Sequence, residues 1–200
     1  MDDKPSSKVR NGPQPSLLLA GQFLAAMPAL QGSYFEHTLI LVCEHNDDGA
    51  LGLVINKPSP AKLHELLAEL QLAAPEQLST QEIDVYDGGP VARERGFILH
   101  TGEYSRQNSL RVCPGLYLAG ARETLEGVIA AAGEDEFIFV LGYAGWEAGQ
   151  LEAEIQDNSW LTCEASADVI FNRPAAARLQ AAIDQLGFDY HLLTGEAGHA

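Results

Sequence analysis

Two histidines and one glutamate are the side chains best suited to acid–base chemistry in this 200-residue chain. His45 and His100 each close an apolar run, so each is expected at the end of a strand. Glu152 lies on a predicted helix, near the edge of its apolar face, where partial burial favours a specific partner. A structural hydrogen bond is the favoured interpretation. The alternative is a hydrolase or transferase that uses Glu152 with His45 or His100 as general acid and base in a cleft.

Cys43 is a candidate nucleophile beside these histidines. Cys43, Glu44 and His45 are consecutive on a predicted strand, where successive side chains point to opposite faces, so Glu44 does not join the other two at one metal ion. A thiol with His45 or His100 has the residue types of a nucleophile and its base, but no third group to orient the base is apparent. No catalytic residue is therefore assigned.

The sequence predicts neither a disulfide framework nor a bound metal or other cofactor. Cys43, Cys113 and Cys163 are far apart, odd in number and without a Cys-x-x-Cys pair, which favours reduced thiols. The glycine-rich segments match neither the phosphate loop nor the dinucleotide-binding fingerprint.

A second group of residues is suited to holding a small ligand. Gly142-Tyr143-Ala144-Gly145-Trp146 lies between a predicted strand and a predicted helix, and Asp87-Gly88-Gly89-Pro90 and Asn56 also follow strand runs directly. Because α/β sheets place ligand sites just beyond the carboxyl ends of strands, these segments are expected to line one cleft. The alternative is that the glycines serve only tight turns and close packing. The candidate cleft residues are Asn56, Gly88, Gly89, Pro90, His100, Gly142, Tyr143, Gly145, Trp146, Gln150 and Glu152.

The spacing of apolar residues predicts an α/β chain in which strands outnumber helices. A hairpin is expected over 38–45 and 50–56, because residues 46–49 supply its turn. Further strands are predicted over 83–86, 96–101, 109–112, 116–119, 137–141, 160–163 and 168–171. Helices are predicted after Pro60, over 122–132, over 147–157 and after Pro174.

Composition favours a single globular domain of the cytoplasm. Residues 1–16 and 191–200 are predicted to be tails, with a single domain over 17–190. The first residues lack the apolar core of a signal peptide, and no apolar run approaches the length of a membrane span. With 28 acidic against 12 basic side chains, the net charge of -16 opposes direct binding to nucleic acid.

Three blocks of sequence, in order and spacing, resemble the AlgH/YqgE family of bacterial proteins over most of the chain. They are Phe35–Pro58, Gly88–His100 and Gly142–Trp160. Their most characteristic elements are Cys43-Glu44-His45, Gly52-Leu53-Val54-Ile55-Asn56, Gly88-Gly89-Pro90-Val91, the segment from Gly142 to Trp146, Gly149-Gln150-Leu151-Glu152, Glu154-Ile155 and Asn158-x-Trp160. One departure is Glu147-Ala148, where the family often has glycine and proline, and Glu147 brings negative charge to the start of the predicted helix.

The resemblance implies a mixed, curved or barrel-like β-sheet flanked by helices, and it does not imply an established enzymatic activity. Family members carry labels such as transcriptional regulator or uncharacterised protein, and no catalytic residues come with those labels. It favours a regulatory or adaptor protein that acts through a protein partner or a small ligand. An acidic surface makes an indirect effect on transcription more plausible than binding to an operator.

Overall fold

The computed structural model describes residues 18–69, 84–102, 109–120 and 136–187. The strands in these residues are β1 (Gln22–Ala26), β2 (Leu39–Asn46), β3 (Gly49–Val54), β4 (Pro58–Lys62), β5 (Asp84–Asp87), β6 (Val91–His100), β7 (Ser109–Cys113), β8 (Leu116–Ala119), β9 (Phe137–Glu147) and β10 (Trp160–Glu164). The helices are α1 (Leu63–Glu69), α2 (Gln150–Gln156), α3 (Ala167–Phe171) and α4 (Ala175–Asp184), with a 3-10 turn at Pro28–Leu30. None of the described helices is long and apolar enough to cross a membrane.

The described strands form one sheet in the order β10-β1-β2-β3-β9-β6-β8-β7, and β4 and β5 attach through the pairing of β5 with β9. That β5–β9 pairing is parallel, whereas the other pairings are antiparallel. The sheet curls into a half-barrel. Its curvature brings the start of β1 to the end of β7, where a Cβ on Gly21 would lie 2.9 Å from the Cβ of Cys113. The predicted mixed, curved sheet with flanking helices is confirmed.

Strand β2 shows how the sheet buries apolar side chains on both faces. Leu39 and Leu41 belong to a cluster that also includes side chains of α3 and α4, whereas Ile40 and Val42 face Leu19 and the residues around α2. Successive strand residues alternate between faces, so a continuous apolar run is what a doubly covered strand requires. A third cluster lies against α1.

The long strand β9 corrects the predicted junction between strand and helix. Residues 142–146 lie inside this strand, and α2 begins only at Gln150, after Gly149 in the left-handed conformation at φ 75°. The strand continues past Gly142 because its second half pairs with β3, with Ala144 opposite Gly52. Residues 142–146 therefore do not lie between a strand and a helix, as the sequence predicts, but within a continuous strand.

Other elements were wrongly predicted from the sequence, were missed, or lie outside the described residues. The predicted strand over 168–171 is wrong, because these residues lie in α3, where Asp168 occupies the first turn and pairs with Arg173. A run of three apolar residues is too short to distinguish a strand from a helix. Strands β1 and β4 were not predicted, and the predicted helix over 122–132 and both tails lie outside the described residues.

Candidate functional site

His45 and Glu152 meet near the end of β2, at the first turn of α2. The Nε2 atom of His45 lies 2.9 Å from Oε1 of Glu152, and the exposed fractions of the two side chains are 4% and 36%. Strand β2 positions His45 next to α2 because β3 joins β2 to the end of β9, from which α2 follows. The structure thus gives Glu152 the specific partner that its place at the apolar edge of the helix predicts.

The second ring nitrogen of His45 is also occupied. The backbone N–H of Leu19 donates to Nδ1 of His45 over 3.3 Å. An N–H donor requires a lone pair, so Nδ1 is unprotonated and the proton of the neutral ring sits on Nε2, which donates it to Glu152. These two bonds fix one tautomer and join the chain before β1 to helix α2.

A second carboxylate of α2, Glu154, binds two tryptophans. The indole N–H groups of Trp146 and Trp160 donate to Oε2 of Glu154 over 2.9 and 2.7 Å, and Gln150 donates to Oε1 over 2.8 Å. The two indoles meet edge to face at 6.1 Å, and Phe35 packs against both. Trp146 and Gln150 are thereby engaged in packing and in hydrogen bonds within the chain.

His100 lies apart from His45, at the other end of β9. His100 is paired with Phe137, whereas His45 is opposite Ala50, which pairs with Trp146. The imidazole of His100 is buried, stacks on Tyr117 at 5.7 Å and has Nε2 3.2 Å from Oγ of Ser109. A site that uses both histidines is therefore not formed.

The Cys43 thiol is enclosed in the core. It contacts the carbonyl of Leu41 at 3.6 Å, and burial raises the pKa of Cys43 above its ordinary value. A buried neutral thiol is a poor nucleophile, since the thiolate is the reactive form. Within the four described ranges, no group of three or more His, Cys, Asp or Glu side chains is placed to hold a metal ion.

The turn at Gly88-Gly89-Pro90 lies beside Gly142, as the cleft hypothesis requires, but its backbone groups are engaged. Gly88 N–H donates to the carbonyl of Leu141, and its own carbonyl accepts from Val54. A Cβ on Gly88 would lie 2.4 Å from the Gly142 oxygen, and one on Gly89 would lie 2.1 Å from the Tyr143 carbonyl carbon. The glycines allow two backbones to cross in direct contact.

The amide of Asn56 fastens a loop. Its Oδ1 accepts from the N–H of Leu39 over 2.8 Å, and its Nδ2 donates to the carbonyl of His37 over 2.9 Å. His37 has φ 56°, an unusual backbone for a residue other than glycine, and the Asn56 bond holds the chain there. Asn56 thus positions the residues that enter β2.

The two aromatic residues of the predicted cleft face opposite sides of the sheet. Tyr143 packs edge to face on Phe97 at 6.0 Å in the cluster that includes α4, whereas Trp146 lies in the cluster around α2. Residues three apart on a strand point to opposite faces. Gly145, between them, is exposed. One group of candidate residues therefore lies around Gly142 and another around α2, whereas His100 lies at the other end of β9, so the candidates do not share one rim.

The sequence matches a known protein family over most of its length. The AlgH-like family profile matches residues 23–191. The chain belongs to the AlgH-like family. The predicted resemblance is confirmed, and the family's match spans both groups of candidate residues.

Several relatives extend this AlgH-like match over nearly the whole chain. UPF0301 proteins of Ralstonia pickettii (strain 12J) and Pseudomonas aeruginosa (strain UCBPP-PA14) are 47% and 45% identical, over 94% and 91% of this chain and 98% and 96% of theirs. The solution structure of AlgH from Pseudomonas aeruginosa matches with a TM-score of 0.74 at 42% identity, over 94% of this chain and all of that one. A crystal structure of a Corynebacterium diphtheriae protein matches with a TM-score of 0.62 at 21% identity, over 88% of each chain, and shows the shared fold alone.

Arg178 is a buried residue of this AlgH-like chain that the sequence reasoning missed. Its guanidinium donates to the carbonyls of Ile55 and Arg173 and to the hydroxyl of Tyr86, whose ring it covers at 4.6 Å. Burial lowers the pKa of Arg178. The available signal was its position one helical turn before Ala182, which is also buried.

Proposed function

We propose that this protein is a non-enzymatic regulatory or adaptor protein that acts through a protein partner or a small ligand. The observation that supports the proposal is the complete engagement of His45, whose two ring nitrogens bond to Leu19 and Glu152. A general base needs a free lone pair within reach of a substrate proton. In His45 the lone pair accepts a backbone amide, so the histidine–glutamate pair serves to hold the N-terminal segment and α2 in place.

The other groups suited to chemistry support the same proposal. Glu154 accepts from three side chains, and Cys43 is enclosed in the core. Glu154 thereby holds the side chains around α2 in a fixed arrangement, whereas the Cys43 thiol is part of the core. A fixed surface suits recognition, because side chains already held in place lose little freedom on binding.

The first experiment is native mass spectrometry of the protein purified gently from its own cells. The proposal expects a protein or a small molecule that co-purifies at a stoichiometric ratio and is displaced on denaturation. Repeated purifications that give only the bare chain, at protein concentrations near those in the cell, would count strongly against an adaptor role.

The competing function is a hydrolase or transferase that uses Glu152 with His45 or His100. A screen of esterase, phosphatase and nuclease substrates separates the two functions, with Glu152→Gln and His100→Ala as variants. The proposal expects no turnover above background in the wild type. Turnover that either variant abolishes, with its circular dichroism spectrum and melting temperature unchanged, would establish the enzyme instead.

A further inference from the structure

The contact between Leu19 and His45 ties the chain before β1 to the rest of the molecule by a group that titrates. We infer that His45 is a proton-controlled latch, which holds the segment around Leu19 when its ring is neutral and releases it when Nδ1 binds a proton. The latch concerns the chain's own conformation and does not rest on the proposed function.

The latch follows from the donors and acceptors at Nδ1. The N–H of Leu19 points at this nitrogen over 3.3 Å, which is stable only while Nδ1 carries a lone pair. In the imidazolium both ring nitrogens carry hydrogen, so two N–H donors would face each other. Protonation therefore removes the bond to Leu19 and replaces it with a repulsive contact, whereas the bond from Nε2 to Glu152 persists as an ion pair.

Among the described residues, a carboxylate contacts Nε2 of His45, and no acidic side chain contacts Nδ1. Glu152 on α2 faces Nε2, and Glu154 on the same helix is bound to the two indoles. On β2 itself, Glu44 bonds to Asn46 on the exposed side of the strand. Further carboxylates, all exposed, lie at the neighbouring strand ends, namely Asp47, Asp48 and Glu147. The described part of the N-terminal segment, residues 18–21, has no titratable side chain.

Release of the backbone would also dislodge a buried side chain. Leu19 is 2% exposed and packs in the cluster with Leu24, Trp146 and Leu151, whereas the preceding Leu18 is 77% exposed. The backbone bond of Leu19 and the burial of its side chain therefore stabilise the same state. Gly21 limits how far release can spread, because its N–H still donates to the carbonyl of Val42 over 2.9 Å.

Nuclear magnetic resonance of the full chain tests the latch directly. The ¹⁵N shifts of the His45 ring report its tautomer and its protonation from about pH 8 to about pH 5, the range in which histidine titrates. We expect the neutral ring to carry its proton on Nε2. As the ring becomes charged, hydrogen-exchange protection of the Leu19 amide, corrected for intrinsic exchange, should fall roughly tenfold while that of Gly21 changes less.

Two variants separate the latch from a general effect of acid. His37→Gln removes an exposed histidine and should leave the pH dependence of Leu19 protection unchanged, whereas His45→Gln should abolish it. The wild-type measurement decides if His45→Gln does not fold. The latch is overturned by a neutral ring protonated on Nδ1, by a ring that stays neutral to about pH 5, or by protection of Leu19 that persists after the ring is charged.

Discussion

At the scale of single residues, the carboxylates of α2 show how far sequence periodicity defines a partner. Glu152 was expected at the apolar edge with a specific partner, and it has His45. Glu154, two residues further along α2, is not among the candidate residues, yet it binds Trp146 and Trp160. The helical period indicates the direction in which Glu154 projects from α2. It does not indicate that the indoles of β9 and β10 reach its carboxylate.

Removing the Glu154 carboxylate should destabilise the protein more than its partial exposure implies. Glu154→Ala leaves two indole N–H groups without their acceptor, which we expect to lower the free energy of unfolding by about 2–4 kcal/mol. Glu154→Gln keeps one acceptor oxygen and should lose less. Urea unfolding followed by tryptophan fluorescence measures both variants, with exposed Glu94→Ala as the control. A loss for Glu154→Ala no greater than for the control would contradict the assigned role.

The buried thiols should make the protein less stable in alkali. Burial raises the pKa of Cys163 from 9.0 to about 11, so the folded chain keeps a proton that the unfolded chain releases in this window. The contribution to stability is complete below about pH 9 and is lost as the pH rises toward 11. Urea midpoints at several pH values should fall less steeply for Cys163→Ala than for the wild type. Equal slopes would show that Cys163 has no such shift.

At the scale of elements, the crossing of the β5–β6 turn over β9 connects the two halves of the sheet. Gly142 has φ 71°, and its neighbours in the turn contact its backbone directly. The N–H of Val54 at the end of β3 donates to Gly88, and the N–H of Gly88 donates to Leu141. The turn thereby completes the edge of β9 between β5 and β3. The glycines predicted as a ligand rim serve this crossing.

A substitution of Gly142 at the crossing should lower the free energy of unfolding by more than its left-handed backbone conformation alone explains. Gly142→Ala introduces a Cβ 2.7 Å from the oxygen of Gly89, whereas Gly115→Ala, at a similar φ of 77°, meets nothing within 4 Å. The control should lose about 1–2 kcal/mol for the left-handed backbone. Gly142→Ala should lose about 1–3 kcal/mol more from steric overlap. Chemical denaturation measures both, and equal losses would mean that the crossing relaxes without strain.

Elements that depend on local sequence were predictable, whereas those that depend on pairing with distant residues were not. The hairpin of β2 and β3 was predictable because Asn46–Gly49 encodes its turn locally, and β2 is apolar from Leu39 to Cys43 because both faces of this part of the strand are covered. The continuation of β9 through Gly142 was not, because pairing with β3 depends on residues about ninety positions away and glycine locally favours a break. The same long-range pairing separates Tyr143 from Trp146, so the predicted cleft could not be judged from strand ends alone.

At the scale of the whole molecule, charge is distributed unevenly. Residues 18–56 and 136–172 include no Lys or Arg, and several of their carboxylates lie at the β2–β3 turn, at the end of β9 and on α2. Four of the described basic residues are engaged within the chain: Lys57 with the carbonyl of Tyr34, Arg93 with Asp87, Arg173 with Asp168, and Arg178 in the core. These four cations would have to leave their partners before they could contact a phosphate backbone.

The protein alone should not bind duplex DNA tightly at physiological salt. Phosphate contacts from several Lys or Arg side chains supply most of the affinity for DNA, and a net charge of -16 opposes the approach of a polyanion. Arg93 and Arg173 would each have to leave a carboxylate before they reached a phosphate. Fluorescence anisotropy with a labelled random duplex in about 150 mM salt should show no saturation below the micromolar range. Because counterion release makes DNA affinity fall steeply with salt, a titration at several salt concentrations separates true phosphate contacts from contamination. Sub-micromolar binding that weakens steadily as salt is raised, and that a second preparation reproduces, would refute the prediction and require a basic surface formed outside the described residues.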